Sequence, residues 1–110
     1  MNIQIFGKSK CFDTKKAERF FKERRIRYQF VDILKYGMSM GELKSVAKAV
    51  GLDALVNKED QDYPVYQYLA TDEARLAKLY DIPDMIKTPV VRNGKSATVG
   101  YCPDIWEEWK

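Results

Sequence analysis

Cys11 is the residue whose type and position offer the most chemistry in this sequence. It lies in a loop after a predicted first strand and directly before a predicted helix that begins at Phe12. The amide groups at a helix N-terminus and the positive end of the helix dipole stabilise a thiolate. Four lysines add positive potential around it: Lys8, Lys10, Lys15 and Lys16. This setting favours a reactive nucleophile over the alternative, a small buried thiol that only fills the core.

The sequence contains one other cysteine and no histidine. Cys102 is too far from Cys11 along the chain for a zinc-finger or zinc-ribbon spacing. Without histidine, Cys-His and Ser-His-Asp catalysis and His-bearing metal sites are excluded. We therefore expect no metal and no bound cofactor, and any catalysis is expected to use thiol chemistry.

The hydrophobic pattern predicts a strand, a helix and a strand, then several helices, and finally two strands and a helix. The first three elements cover 3–6, 12–25 and 28–31, and a unit of this length predicts a right-handed parallel βαβ. Ser39-Met40-Gly41-Glu42 has the form of a capping box and begins a helix that ends at Gly51. Residues 62–66 are predicted to form a loop leading into a short helix, and a further helix begins near Thr71.

The C-terminal part has the pattern of a hairpin followed by a helix. Asn93-Gly94 separates two β-prone runs, 88–92 and 96–100, and Pro103 marks a helix start. The complete order is that of an α/β thioredoxin-like fold with a helical insert and a mixed four-stranded sheet, in one domain over 1–110. In that plan Pro89 fits a cis-proline before the third strand, where the Thr88 backbone can pair with a substrate like an added strand. The alternative is an ordinary trans proline at a strand start.

Composition and charge indicate a globular protein. Hydrophobic residues make up 45% and aromatic residues 13% of the chain, so disulfides are not needed for stability. The net charge is +3, and the densest basic run covers 22–27. We interpret this run as a helix end rather than a nucleic-acid patch, because no stacking motif accompanies it. No apolar run resembles a signal peptide or a membrane span, so we expect a cytoplasmic location and no membrane partner.

Two segments carry a pattern that is specific to one family. Residues 11–17, CFDTKKA, resemble the motif C-x-x-C/S/I-[RK]-K-A, and residues 87–91, KTPVV, followed by 100–103, GYCP, resemble the ending R-P-[IL]-V … G-[FR]-x-P. On these motifs the chain resembles the arsenate reductase-like (ArsC/Spx) family of the thioredoxin superfamily over almost its whole length. That family includes glutaredoxin-coupled arsenate reductases, glutathione-linked relatives, and Spx-type regulators that bind the RNA polymerase α subunit.

The sequence departs from the arsenate reductases at the three arginines that hold the oxyanion. By motif position these arginines fall on Thr88, Cys102 and Asn57. A dianion such as arsenate would therefore lose its bidentate, charge-assisted partners. Lys58, Lys87 and Arg92 would offer weaker compensation as point charges. The resemblance thus implies thiol chemistry more strongly than arsenate reduction.

The resemblance also leaves two alternatives open at each of two further positions. Thr14 occupies the place of the second cysteine in the C-x-x-C pair of the Spx redox switch, and its hydroxyl either hydrogen-bonds the thiolate or caps the first helical turn. Cys102 precedes the proline of the last helix. It either lies beside Cys11 and resolves a mixed disulfide on it, or is a buried thiol at a strand end.

We predict a thiol-disulfide oxidoreductase or glutathione-linked reductase in which Cys11 attacks a disulfide, assisted by Thr14, and Cys102 or glutathione resolves the intermediate. The predicted substrate-binding residues are Lys10, Lys16, Thr88, Pro89 and Arg92. Expected partners are glutathione as co-substrate, glutaredoxin, or a protein disulfide. The first alternative is a non-catalytic, Spx-like regulator that binds a protein partner such as RNA polymerase, and the second is a true arsenate reductase.

Overall fold

The computed structural model describes residues 1–109, and the elements in this range follow the predicted order. None of its helices is long and apolar enough to cross a membrane. In chain order the elements are β1 (Ile3–Gly7), α1 (Phe12–Glu23), β2 (Tyr28–Asp32), α2 (Ile33–Tyr36), α3 (Met40–Val50), α4 (Leu52–Leu55), α5 (Tyr63–Gln67), α6 (Asp72–Asp81), a 3₁₀ turn (Pro83–Met85), β3 (Val90–Asn93), β4 (Ser96–Val99) and α7 (Pro103–Glu108).

The four strands form one mixed sheet in the order β2-β1-β3-β4. β1 runs parallel to β2 and antiparallel to β3, and β3 pairs antiparallel with β4. The predicted mixed four-stranded sheet and the parallel βαβ unit are confirmed. Because β1 is paired on both sides, the loop that follows it, with Cys11, starts from a fixed position.

The core lies on both faces of this sheet. Ile5 and Val91 face α1 and α7, where they pack with Phe21 and Trp106. The buried Trp106 indole donates to Thr98 Oγ1 at 2.8 Å, which satisfies its single polar group.

The other face carries Phe6 and Val90, which pack with Leu43 and Val46 of α3 and Leu79 of α6. Successive residues of a strand point to opposite faces, so Ile5 and Phe6 belong to different cores. Cys11, at the start of α1, and α3 therefore belong to opposite sides of the sheet.

The start of α3 and the end of α1 are both determined by residues close to them in the sequence. The capping box is confirmed, since Ser39 Oγ accepts from the Glu42 amide at 3.1 Å and Glu42 Oε1 accepts from the Ser39 amide at 2.9 Å. α1 ends at Glu23 rather than near Arg25, because Arg25 has a φ of 56° and leaves the helix. The amide of Ile26 then bonds back to the carbonyl of Phe21 at 2.9 Å, as in a Schellman motif.

The structure corrects two local predictions. The stretch predicted as a loop at 62–66 is mostly helical, because α5 begins at Tyr63. Pro64 lies in its first turn, where a missing N–H costs no helical hydrogen bond. The predicted hairpin forms, but Asn93 pairs with Ser96, so the turn residues are 94 and 95 rather than 93 and 94. Gly94, with a φ of 61°, suits the first central position of a type II′ turn.

Candidate active site around Cys11

Cys11 is the N-cap residue of α1. Its backbone is extended, with φ −84° and ψ 119°, and its amide donates to the carbonyl of Lys8 at 3.0 Å, which closes a turn after β1. In the protonated form the sulfur makes no capping hydrogen bond within the described residues. A half-buried thiol therefore lies beside the unpaired amides of a helix start without being used to cap them.

The groups around the sulfur favour its ionised form. Burial raises the pKa of the Cys11 thiol, but hydrogen bonds to the thiolate from the side chains of Thr14 and Thr88 and from the amides of Thr14 and Asp13 lower it by more. In the protonated form Sγ donates to the carbonyl oxygen of Thr88 at 3.6 Å, a long contact that stabilises the thiol only weakly. The net result is a pKa below that of an ordinary cysteine, which increases the thiolate fraction at neutral pH.

Thr14 is the side chain that contributes most to this lowering. It is 1% exposed, and its hydroxyl has no hydrogen-bond partner among the described residues while Cys11 is protonated. A buried, unpartnered hydroxyl is unfavourable, and ionisation of Cys11 supplies the missing acceptor. Of the two roles considered for Thr14, the structure shows no capping hydrogen bond, because the Thr14 hydroxyl bonds to no backbone group among the described residues.

Gly7 makes this position of Thr14 possible. A Cβ atom added to Gly7 would lie 2.7 Å from Thr14 Oγ1, inside van der Waals contact. From the sequence Gly7 was expected only to end the first strand, and its contact with Thr14 was missed. The available signal was a glycine at the end of a buried strand, directly before the loop of a reactive cysteine.

Replacing Thr14 with valine is expected to raise the pKa of Cys11. Valine keeps the branched shape that fits beside Gly7 but has no hydroxyl to donate to the thiolate. The pH dependence of iodoacetamide alkylation, followed by peptide mass spectrometry so that Cys11 and Cys102 are measured separately, reports the shift.

Thr14→Ser is the matched control, because it keeps the hydroxyl and loses only the methyl group. An unchanged pKa in Thr14→Val, or an equal rise in Thr14→Ser, contradicts the assigned role of the hydroxyl. The pH dependence of the free energy of unfolding gives a second measurement, and its direction follows from the lowered pKa of Cys11. Because the folded-state pKa of Cys11 is depressed, the free energy of unfolding increases as the pH rises from the folded to the unfolded pKa, and this increase is smaller in Thr14→Val.

The Thr88–Pro89 peptide borders the sulfur. This bond is cis, as the sequence predicted, and Pro89 is buried. The Pro89 carbonyl accepts from the amide of Gly100 at 2.8 Å, which fixes the segment against the chain that leads to α7. Within residues 1–109 the Thr88 amide donates to no other group. A backbone donor next to the sulfur is thus available to a peptide-like substrate.

The lysines near Cys11 do not all contribute to its potential. Lys8 Nζ donates to the carbonyl of Asp84 at 2.9 Å and lies 3.6 Å from its carboxylate, so its charge is paired. Lys10 is exposed in the turn before the cysteine. Lys16 Nζ lies 5.6 Å above the ring of Tyr101. Neither Lys10 nor Lys16 is among the groups that lower the pKa of Cys11.

Cys102 is the N-cap of α7 and has a different environment from Cys11. Its Sγ donates to the carbonyl of Val99 at 3.4 Å, and it packs at the edge of the core that contains Trp106. Burial raises the pKa of the Cys102 thiol. Both cysteines are free, and their thiols donate to different carbonyl groups, Cys11 to that of Thr88 and Cys102 to that of Val99. Cys102 therefore resembles the buried strand-end thiol more than the resolving thiol.

Arg92 is a correction to the predicted substrate-binding set. It pairs with Gln4 across the sheet, so its side chain points to the face of α3 and not to that of α1. There Nη1 donates to Gln4 Oε1 at 3.0 Å and Nη2 contacts Ser45 Oγ at 3.4 Å. Arg92 is separated from Cys11 by the sheet and is removed from the site.

The three positions that the family motif assigns to arginine provide no positive charge. Thr88 offers a hydroxyl, and Cys102 offers a thiol with a raised pKa. The Asn57 side chain accepts from the amide of Glu59 at 3.1 Å and so closes its own turn. Among residues 1–109, no group of three acidic, cysteine or histidine residues is arranged to hold a metal ion.

Comparison with known proteins gives relatives of two kinds. The global transcriptional regulator Spx 2 of Oceanobacillus iheyensis is 27% identical over 100% of this chain and 94% of its own length. The global transcriptional regulator Spx of Staphylococcus aureus is 24% identical over 93% of this chain and 82% of its own. Among solved structures, the arsenate reductase from Vibrio cholerae aligns with a TM-score of 0.85 at 22% identity, covering 98% of this chain and 97% of that chain.

A more distant structure extends the fold assignment. The glutaredoxin-like protein NrdH-redoxin from Escherichia coli aligns with a TM-score of 0.52 at 14% identity, over 100% of this chain and 96% of that chain. The fold is therefore thioredoxin-like, as expected from the sequence. The model of the ArsC family matches residues 6–109. Since this match includes Cys11, the Thr88–Pro89 peptide and the helical insert between them, the chain belongs to the ArsC family.

Proposed function

We propose that this protein is a thiol-dependent oxidoreductase that reduces mixed disulfides, with Cys11 as the nucleophile. The observation that carries the proposal is the set of donors around one half-buried sulfur at the start of α1, which lowers the pKa of Cys11. An attacking thiol is fastest when its pKa is near the ambient pH, because both the thiolate fraction and its nucleophilicity then contribute.

The reaction divides into two thiol-disulfide exchanges. The Cys11 thiolate attacks one sulfur of a disulfide between a substrate and glutathione, and the substrate leaves as a thiolate while glutathione becomes bonded to Cys11. A second glutathione thiolate then attacks the glutathione sulfur of that mixed disulfide, which releases oxidised glutathione and restores the Cys11 thiolate. The Thr88 amide is the proposed donor to the backbone of the bound disulfide, and Pro89 fixes its position.

An external thiol suits the second exchange better than Cys102 does. Burial raises the pKa of Cys102, so it has a small thiolate fraction at neutral pH. Its hydrogen bond to Val99 also holds the sulfur at the start of α7. Glutathione is therefore the proposed resolving thiol, and glutaredoxin or a protein thiol is the alternative.

Arsenate reduction has less support from the same site. The three motif positions hold Thr88, Cys102 and Asn57, and none of them supplies a positive charge. Of the three cations considered as weaker compensation, Arg92 lies on the other face of the sheet and Lys58 pairs with Asp53 at 2.9 Å. The donors around Cys11 are the hydroxyls of Thr14 and Thr88 and two amides of the first turn of α1, and no bidentate arginine is among them.

A regulatory role is the second candidate, supported by the relatives that are named global transcriptional regulators and match most or all of this chain. Such a regulator would bind a protein partner such as RNA polymerase. Thr14 in place of a second cysteine means that Cys11 has no neighbour within its own helical turn with which to form a disulfide switch.

Treatment with a small excess of oxidised glutathione is expected to add one glutathione to Cys11. Intact mass spectrometry measures the number of adducts, and peptide mapping locates them. Reduced glutathione should then remove the adduct. Modification of Cys102 alone, a Cys11–Cys102 disulfide as the main product, or no reaction at neutral pH would contradict the proposed chemistry.

The regulatory candidate predicts a different result. Binding of the purified protein to RNA polymerase that persists in Cys11→Ser, together with an inert Cys11, favours a docking function. Rapid glutathione exchange at Cys11 without measurable polymerase binding favours the oxidoreductase.

A further inference from the structure

A basic groove lies between α3 and the turn that joins β3 to β4. Its volume is about 490 Å³, and it is lined by Lys44, Ser45, Lys48, Ala49 and Lys95. Lys44 and Lys48 are one helical turn apart, so both ammonium groups project from the same side of α3. Lys95 approaches them from the β3–β4 turn.

This groove differs in charge from four other grooves on the surface. The grooves that contain Glu42, Asp53, Glu23 and Glu59 each include at least one carboxylate, whereas this one has none in its lining. Across residues 1–109 the ion pairs within 4.0 Å use Lys8, Lys16, Arg24, Lys58 and Arg75. The three lysines of the groove therefore have no acidic partner in the part of the chain that the structure describes.

Arg92 does not line the groove, but its guanidinium adds a positive charge beside Ser45, which does. Its guanidinium contacts only neutral groups, Gln4 Oε1 at 3.0 Å and Ser45 Oγ at 3.4 Å, and its buried Nε has no partner among the described residues. A partly buried guanidinium usually pairs with a carboxylate or another anion. Ser45 both contacts Arg92 and lines the groove, so it connects this unpaired charge to the open space.

We propose that this groove binds the phosphate group of a small phosphorylated molecule. Three ammonium groups supply charge from two sides, Ser45 supplies a hydroxyl donor, and Arg92 lies behind it. Phosphate carries close to two negative charges and three strong acceptor oxygens, so it matches this set better than a single carboxylate does. Lysines act here as point charges around a tetrahedral group, and no planar bidentate geometry is required.

The groove is separate from the candidate active site. α3 packs on the sheet face opposite α1, and the β3–β4 turn lies at the opposite end of β3 from Pro89. Phosphate binding and Cys11 chemistry can therefore be tested and fail independently of each other.

Inorganic phosphate and phenyl phosphate are the probes, each compared with sodium chloride at equal ionic strength. At about ten times its dissociation constant, phosphate is expected to raise the melting temperature by about 5 °C. Backbone amide shifts of Lys48 and Ala49 in ¹H–¹⁵N spectra locate the site. The Arg92 Nε–Hε signal reports whether the guanidinium responds to the bound anion.

The double variant Lys44→Gln/Lys48→Gln is expected to weaken phosphate binding by about tenfold or more. Arg19→Gln/Lys22→Gln is the matched control, since it also removes two exposed charges three to four residues apart on one helix. It should leave binding within about twofold.

Three results would overturn the proposal. One is a response to phosphate no greater than that to chloride, and another is an equal loss of binding in the two double variants. The third is binding of a DNA duplex through the groove lysines with no binding of either phosphate probe, which would assign the groove to a nucleic-acid backbone. Tighter binding of phenyl phosphate than of inorganic phosphate supports a phosphate monoester as the ligand class.

Discussion

Replacement of Cys11 with serine is expected to slow the reduction of a glutathione mixed disulfide by more than about 10³-fold. A serine oxygen cannot enter thiol-disulfide exchange, and its hydroxyl remains protonated at neutral pH. The donors from Thr14, Thr88 and the first turn of α1 would remain in place but have no thiolate to stabilise. A coupled assay with glutathione, a glutathionylated peptide and glutathione reductase measures the rate.

Cys102→Ser is the matched control, because it makes the same atomic change at the N-cap of α7. With glutathione as the resolving thiol, this variant should keep its rate within about threefold of the unaltered protein. A large loss in Cys102→Ser would instead identify Cys102 as the resolving thiol. Equal rates in Cys11→Ser and the unaltered protein would exclude Cys11 as the nucleophile.

The reduction rate is also expected to fall at low pH, where the Cys11 thiolate becomes protonated. Because that pKa is lowered, the thiolate is already present at lower pH than for an ordinary cysteine. The rate is therefore expected to approach its plateau below the usual titration range of a thiol and to fall as the pH drops through the folded-state pKa. Thr14→Val should shift this profile to higher pH.

The parts of the site that the sequence predicts are those set by local order along the chain. Cys11 directly precedes a helix and therefore becomes its N-cap. Thr88-Pro89 precedes a β-prone run and lies at the start of β3 in the cis form. The position of Cys11 follows from neighbouring residues alone, whereas the cis form of Pro89 was expected from the order of elements in the thioredoxin-like plan.

The parts that the sequence does not predict depend on strand register and on contacts between distant segments. Lys8 was expected to raise the potential at Cys11, but it pairs with Asp84, which is far away along the chain. Arg92 was expected at the site, but its pairing with Gln4 turns it to the other face. A shift of one residue in register reverses the face of every side chain in a strand. Val90 and Val91 are both buried, on opposite faces of the sheet, so the hydrophobic pattern of β3 does not show which face Arg92 takes.

The contact between Gly7 and Thr14 is another contact that the sequence pattern did not predict, and a substitution at Gly7 is expected to have a large effect on stability. Gly7→Ala is expected to lower the free energy of unfolding by about 2–3 kcal/mol. The added Cβ would lie 2.7 Å from Thr14 Oγ1, and β1 cannot easily move away because it is paired with β2 and β3. Urea denaturation monitored by tryptophan fluorescence measures the change.

Gly41→Ala is the matched control. Gly41 is exposed in α3, and the nearest atom to an added Cβ is 4.0 Å away. Alanine favours helix over glycine by about 1 kcal/mol, so this variant should be more stable than the unaltered protein. The same chemical change is thus expected to have opposite signs at the two glycines, which separates a steric clash from a general effect of replacing glycine.

A double-mutant cycle with Thr14→Ala identifies the clash itself. Thr14→Ala removes the hydroxyl and the methyl group that the Gly7 Cβ would meet, so the double variant should recover about 1 kcal/mol or more relative to the sum of the single changes. Additive losses would show that Gly7→Ala acts through some other contact. Because Gly7→Ala also displaces the Thr14 hydroxyl from the thiolate, it should raise the pKa of Cys11 as well. A loss of stability with an unchanged pKa would show that Gly7 does not influence the ionisation of Cys11.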